Sequence, residues 1–398
     1  MLNIMALNSS ISSERVHIGF FGLRNAGKSS IVNAVTGQDL AIVSNIKGTT
    51  TDPVRKAMEI LPLGPVVIID TPGIDDDGEL GELRVEKTKR VLAQIDIAVL
   101  VVDAIKGINE VEKDLVRLFD DRDIPFIIVY NKSDLLDYYP QSQKNIIWVS
   151  AKENHNIYEL KEMIAYLVKG KENNKRIVAD LLSPGDKVVL VTPIDESAPK
   201  GRLILPQQQT IRDILDAGCT AIVCQDGELK DTLNSLKEMP KLVITDSQVF
   251  ERVEKDVPRK VMLTSFSILF ARYKGNLDEL VKGAKKLKEL GDGDNVLISE
   301  GCTHHRQCND IGTVKIPKWI ENYTGKALGF NFTSGGEFPN DLEKYDLIVH
   351  CGGCMLNEKE MQYRINKARE CGVPMVNYGV AIAQMHGILE RSLEVFGM

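Results

Sequence analysis

The sequence predicts an α/β protein built from successive parallel-sheet domains. Apolar runs of strand length alternate with helix-length amphipathic segments along most of the chain. A glycine-rich turn carrying a lysine and serines follows the first such run, and cysteine-histidine clusters follow two of the last. At 398 residues the chain exceeds what one hydrophobic core usually serves, so more than one domain is expected.

From residue 16 to about 170 the runs "VHIGFFG", "VVIID", "IAVLVVDA", "PFIIVYN" and "IIWVSA" read as buried parallel strands with crossover helices between them. Composition turns charged and asparagine-rich near "KGKENNKR", which predicts a linker at about 170–180. A shorter α/β unit follows, with "KVVLVTPID", "TAIVCQ" and "KLVITD" as strands and "RLILPQQQTIRDILDAG" and "ELKDTLNSL" as helices. It carries no catalytic motif, and so small a unit is a candidate for pairing with a second copy. Beyond it the helical "NLDELVKGAKKLKELGDGD" leads into "NVLISEGCTHH", and "YDLIVHCGGC" repeats the strand-to-cluster transition. Open α/β sheets bind their ligands past the C-terminal ends of strands, where both clusters fall.

Composition excludes several classes. An apolar content of 43% and a charged content of 26% are ordinary for a globular protein, and no stretch approaches the roughly 18 apolar residues of a membrane span. The N-terminal residues lack the basic, apolar and small-residue pattern of a secretory signal, so a cytoplasmic location is expected. A net charge of -7 argues against general affinity for nucleic acid. In that compartment seven cysteines point to metal or redox chemistry rather than a disulfide framework. Cys219, Cys224 and Cys371 read as small buried hydrophobes, and His17, His155 and His386 as structural or exposed residues.

The stretch "GLRNAGKS" fits G-x-x-x-x-G-K-[ST] between a predicted strand and a predicted helix, the context that makes it a P-loop. Gly22 and Gly27 let backbone N–H groups face phosphate, Lys28 brings charge to the terminal phosphates, and Ser29 offers a hydroxyl to Mg²⁺. Ser30 completes the candidate phosphate contacts. Thr49 and Thr50 in "KGTTTD" are candidates for the switch threonine on Mg²⁺, while Asp70 of "DTPG" reaches the Mg²⁺ shell and Gly73 the γ-phosphate. "NKSD" supplies Asn131, Lys132 and Asp134, whose carboxylate can accept from guanine N1–H and N2–H₂, a pair adenine does not offer. Ser150, Ala151 and Lys152 close the base pocket, so the nucleotide is expected to be GTP. Lys28 and Thr50 are the candidates for work on the γ-phosphate. Ile74 cannot orient a water, which suits slow hydrolysis and a switch role.

At the other end, Cys351-x-x-Cys354 brings two thiolates to one centre, and Cys302 would add a third. His304 and His350 flank them as ligands, outer donors or gates. Three thiolates with an open position suit a 4Fe-4S cluster, and mixed sulfur and nitrogen donors suit zinc; the residues alone leave both open. His305 and Cys308 read as neighbours on the same polar loop.

The run "GLRNAGKSSIVNAV", "GTTTDP" and "DTPG" resembles the TrmE-Era-type GTPases and, within them, the potassium-stimulated group. That resemblance implies that Asn25 helps hold K⁺ near the phosphates. C-x-H followed by H-C-x-x-C, downstream of such a GTPase segment and a short middle domain, resembles the HydF family of FeFe-hydrogenase maturation GTPases. The family resemblance implies a P-loop GTPase domain over residues 1–172, a small α/β dimerisation domain over 180–263 and an α/β cluster-binding domain over 266–398. It further implies a homodimer through the middle domain and a 4Fe-4S cluster on Cys302, Cys351 and Cys354, with His304 and His350 at the family histidine positions. Members act as scaffold and carrier, receiving a di-iron precursor built with radical-SAM maturases and delivering it to apo FeFe-hydrogenase. The competing reading is a potassium-stimulated GTPase of RNA modification or ribosome maturation with a structural zinc. It predicts RNA affinity, which the acidic balance disfavours, and a colourless protein.

Overall fold

A computed structural model describes residues 15–38, 54–71, 88, 90–138, 140–169, 175–194, 203–301 and 310–398. The chain divides into two compact units, Met1–Asn173 and Asn174–Met398.

The first unit is built on a six-stranded sheet in the order β2-β3-β1-β4-β5-β6. Its strands are β1 (Val16–Phe21), β2 (Val54–Ile60), β3 (Gly64–Asp70), β4 (Ile97–Asp103), β5 (Phe126–Asn131) and β6 (Ile146–Trp148). All neighbours run parallel except β2, which pairs antiparallel with β3. Side chains of a strand alternate between faces. On β3, Val66 and Ile68 enter one apolar cluster while Val67 and Ile69 enter the opposite one. Burial on both faces is why the strands read as unbroken apolar runs. Strand β2 was not apparent in the sequence, because as an edge strand it exposes Arg55, Lys56, Ala57 and Glu59 and so shows no apolar run.

The second unit holds two four-stranded, all-parallel sheets. One, ordered β10-β9-β7-β8, comprises β7 (Lys187–Val191), β8 (Thr220–Cys224), β9 (Leu242–Thr245) and β10 (Met262–Ser265). The other, ordered β12-β11-β13-β14, comprises β11 (Asn295–Glu300), β12 (Gly329–Ser334), β13 (Leu347–His350) and β14 (Met375–Asn377). A single apolar cluster runs from Val189, Val243 and Leu263 of the first sheet to Val296, Ile348 and Val376 of the second. The helix Phe266–Lys274 contributes Ile268 and Ala271 to that cluster, and Phe266, Leu269 and Phe270 to the core on the other face of the first sheet. Cys219 and Cys224 are buried and Cys371 is half-buried. Among the described residues no helix is long and apolar enough to cross a membrane.

Candidate nucleotide and metal centres

The glycine-rich turn leaves the C-terminal end of β1 and enters the helix Lys28–Thr36. Gly22 (φ 148°) and Gly27 (φ 87°) hold backbone angles that other residues rarely adopt. A Cβ at Gly22 would collide with the Val101 carbonyl oxygen, and one at Gly27 with the Asn131 side chain. Asn25 sits in the left-handed region at φ 64° and is exposed. Lys28, Ser29 and Ser30 form the first turn of the helix, the end whose N–H groups and dipole suit an anion.

Asp70, the last residue of β3, has a buried Oδ1 with no hydrogen-bond partner. Burial pushes its carboxyl above the usual range, while the Lys28 charge and a hydrogen bond from the Ser29 hydroxyl pull it back. An orphaned carboxylate oxygen beside a serine hydroxyl at the mouth of a phosphate cradle fits a hydrated Mg²⁺. Thr49, Thr50 and Gly73 lie outside the described residues, as does Ile74.

Around the candidate base pocket, Asn131 donates through Nδ2 to the Ala26 carbonyl (3.0 Å) and accepts at Oδ1 from the Ala151 N–H (3.1 Å). It therefore ties the glycine-rich turn to the loop after β6. Lys132, at φ 68°, donates to Asp103 at the end of β4 (2.6 Å). Asp134 accepts the Ser150 hydroxyl at Oδ1 (2.6 Å), and the Lys152 ammonium stands 3.9 Å from Oδ2. A cleft of about 450 Å³ lies between the helix and this loop, lined by Ser30, Asn33, Ala34 and Ala151 among others.

One participant escaped notice in the sequence. Glu112 is 1% exposed, accepts from Asn109 N–H in a capping box, and also bonds the backbone of Leu23 inside the glycine-rich turn. The Asn109-x-x-Glu112 spacing is a recognisable helix-start signature. Nothing local revealed the reach to Leu23.

The second centre lies at the ends of β11 and β13, which are hydrogen-bonded neighbours with Ser299 opposite His350. The Cys351 N–H continues that pairing to the Ser299 carbonyl (2.9 Å). Cys351 Sγ accepts from Gly301 N–H (3.0 Å) and Gly353 N–H (3.4 Å). Gly301, which directly precedes Cys302 in the sequence, therefore lies against the Cys351 loop. Gly353 is left-handed (φ 62°), and a Cβ there would strike the Met361 sulfur. Burial pushes the Cys351 thiol up to about 11, against the opposing pull of the two N–H donors. Burial also raises Cys354, with the Lys274 charge pulling the other way.

His350 is fully enclosed. Its Nδ1–H donates to the Cys351 carbonyl (2.7 Å) and its Nε2 faces Arg364 Nη1 (3.0 Å). Burial, reinforced by the Arg364 charge, depresses its pKa to about 3 and keeps the ring neutral. With both nitrogens engaged by protein, the ring shapes the loop from behind. Arg364, 0% exposed, also pairs with Glu360 (3.0 Å) and donates to the Gly335 carbonyl (2.9 Å), so it braces β13, its own helix and the segment after β12. Cys302, His304, His305 and Cys308 lie outside the described residues. Among the described residues no group of three His, Cys, Asp or Glu side chains could hold a metal. The pair that is described has the chemistry of a soft-metal site, namely two cysteines on a glycine-rich loop with N–H donors aimed at sulfur.

Comparison with known families separates the chain into matching segments. Residues 177–275 match the hydrogen maturase F dimerization domain and residues 278–395 the hydrogen maturase F tetramerization domain. The chain belongs to the hydrogenase maturase F (HydF) family. Residues 17–132 match a GTPase domain described as a 50S ribosome-binding GTPase. The two HydF-specific descriptions both support oligomerization.

Curated relatives match through the GTPase segment. The tRNA modification GTPase MnmE of Dechloromonas aromatica is 35% identical over 152 residues, covering 37% of this chain and 34% of the relative. That of Chromobacterium violaceum is 36% identical over 171 residues, covering 40% and 37%. The chain thus spans about a third of the length of these relatives. Among solved structures, a point variant of Aquifex aeolicus Era bound to GDP.AlF4- aligns over 80% of this chain and 92% of its own. The identity is 17% and the TM-score is 0.34, too low to bear on the arrangement of the chain.

Proposed function

We propose that this HydF-family chain is a GTPase scaffold and carrier that binds a 4Fe-4S cluster and delivers a di-iron precursor to apo FeFe-hydrogenase. The observation that carries the reading is the hydrogen bond from Gly301 N–H to Cys351 Sγ. It supports bringing Cys302, adjacent to Gly301, to the same centre as Cys351 and Cys354. Those cysteines would hold the cluster, which when bound supplies an iron position open to exchange. His350 orients the Cys351 peptide through its Nδ1–H, and His304 is proposed, from its family position alone, as a further donor to the cluster.

In the GTPase domain, proposed over residues 1–172, the N–H groups of Gly22–Ser30 bind the phosphates and Lys28 neutralises the terminal ones. Ser29, Thr50 and Asp70 would hold Mg²⁺, which when bound would neutralise phosphate charge; Asn25 would hold K⁺. Thr49 is the alternative switch threonine for Mg²⁺, and the Gly73 N–H would meet the γ-phosphate. Asp134 reads guanine, backed by Asn131, Lys132, Ser150, Ala151 and Lys152. Hydrolysis is slow and potassium-stimulated. Nucleotide state can bias partner contacts only through a difference in affinity between two conformations. Residues 180–263 form the homodimer and residues 266–398 carry the cluster, in a cytoplasmic protein whose partners are the radical-SAM maturases and the hydrogenase, not nucleic acid.

The test is activation of apo-hydrogenase by the chain isolated after co-expression with the maturases. Wild type restores hydrogen evolution, and the Cys351→Ser/Cys354→Ser variant yields none. Equal activation by the double variant would overturn the reading.

A further inference from the structure

Behind the cysteine loop lies a buried lysine that neither the nucleotide chemistry nor the cysteine ligands account for. Lys274 ends the helix Phe266–Lys274 and is 3% exposed. Its ammonium donates to the carbonyls of Leu356 (2.9 Å), Cys354 (3.1 Å) and Gly353 (3.4 Å), with the Phe270 ring 5.7 Å away. An ammonium has three donors, and three loop carbonyls converge on this one. Gln362 Nε2 donates to the Lys274 and Gly275 carbonyls (3.2 and 2.9 Å), so the main chain at the lysine is anchored to the neighbouring helix Glu358–Glu370. Gly353 divides its backbone between the two sides, offering its N–H to Cys351 Sγ and its carbonyl to the ammonium.

We propose that Lys274 is a positioning residue for the cysteine centre. It pins the loop Gly353–Leu356 by its carbonyls and sets a buried positive charge beside the thiolates. Resting on the iron-sulfur reading above, the consequence is electrostatic: a thiolate-bound cluster is anionic, and a nearby fixed cation favours its reduced form and raises its potential. A solvated lysine would be screened, whereas this one is enclosed with the loop it holds.

The experiment uses the full chain with Lys274→Gln, Lys274→Met and Lys274→Arg, each reconstituted anaerobically with iron and sulfide. Bound iron is counted, and the midpoint potential is read by electron paramagnetic resonance during redox titration. Gln keeps donors and loses the charge, so its cluster should titrate at a lower potential than wild type; Arg should restore the potential. Met should also reduce iron occupancy. A Gln variant titrating at the wild-type potential overturns the charge role. The loop itself is tested without metal, by alkylation of Cys354 in the metal-free chain followed by peptide mass spectrometry. Alkylation several-fold faster in Lys274→Met than in wild type supports the pinning, and an equal rate overturns it. If the wild-type chain takes up no cluster, the cluster reading fails while the alkylation result still decides the clamp.

Discussion

Asp134 illustrates how one side chain would carry the proposed specificity for guanine. Its carboxylate is held by the Ser150 hydroxyl at one oxygen and stands near the Lys152 ammonium at the other, which fixes its plane before any ligand arrives. Replacement by Asn keeps the shape and loses the charge. Loss of charge-assisted hydrogen bonds is worth about 1.5–3 kcal/mol, so Asp134→Asn should weaken GTP roughly 10- to 100-fold by calorimetric titration. The same variant should improve binding of xanthosine triphosphate, whose base offers a carbonyl where guanine has an amine. Unchanged GTP affinity would remove Asp134 from the base site. The ion dependence tests Asn25: exchanging K⁺ for Na⁺ should slow GTP turnover, and an Asn25→Ala chain should no longer distinguish the two ions. At this scale the glycines were legible, since Gly22 and Gly27 occupy conformations that only glycine adopts easily. Glu112, Lys274 and Arg364 were not. In the sequence they are ordinary charged residues of amphipathic helices, and only tertiary packing encloses them.

At the scale of elements, alternation of strand and helix was readable because parallel strands buried on both faces are continuously apolar. The edge strand β2 was hidden by its charged outer residues. The pairing of β11 with β13 was not written in either strand, although their matching strand-to-cluster endings suggested it. A close approach fixes one neighbour of that sheet: Gly283, in the helix Leu277–Lys286, lies so near β14 that a Cβ would overlap the Met375 backbone. The obstacle is main chain, which cannot rotate away. Gly283→Ala should therefore destabilise by about 1–3 kcal/mol despite alanine's better helix propensity, seen as an earlier denaturant midpoint. A later midpoint would mean the helix can slide without cost.

For the whole molecule, the family assignment and the two centres point to separable functions on one chain. The glycine-rich turn, Asp70, Asn131 and Ser150 were legible as a set because each lies at or just past a strand end, where open α/β sheets meet their ligands, while Thr49, Thr50 and Gly73 lie outside the described residues. At the cysteine loop the sequence did not carry which strand ends are neighbours, nor that Lys274 and Arg364 are buried behind the loop, because both follow from tertiary packing. If the units are chemically independent, Lys28→Ala should abolish GTP hydrolysis and leave iron uptake unchanged; loss of both would show that the cluster centre depends on the nucleotide unit. The central claim is that Cys351 and Cys354 belong to an iron-sulfur centre. Its most direct test is iron and acid-labile sulfide analysis with an absorption spectrum, on chain purified and reconstituted without oxygen. The account predicts close to four irons and four sulfides per chain, as a 4Fe-4S cluster requires, with the chromophore lost in Cys351→Ser/Cys354→Ser. A colourless, zinc-loaded chain that takes up no iron would contradict it.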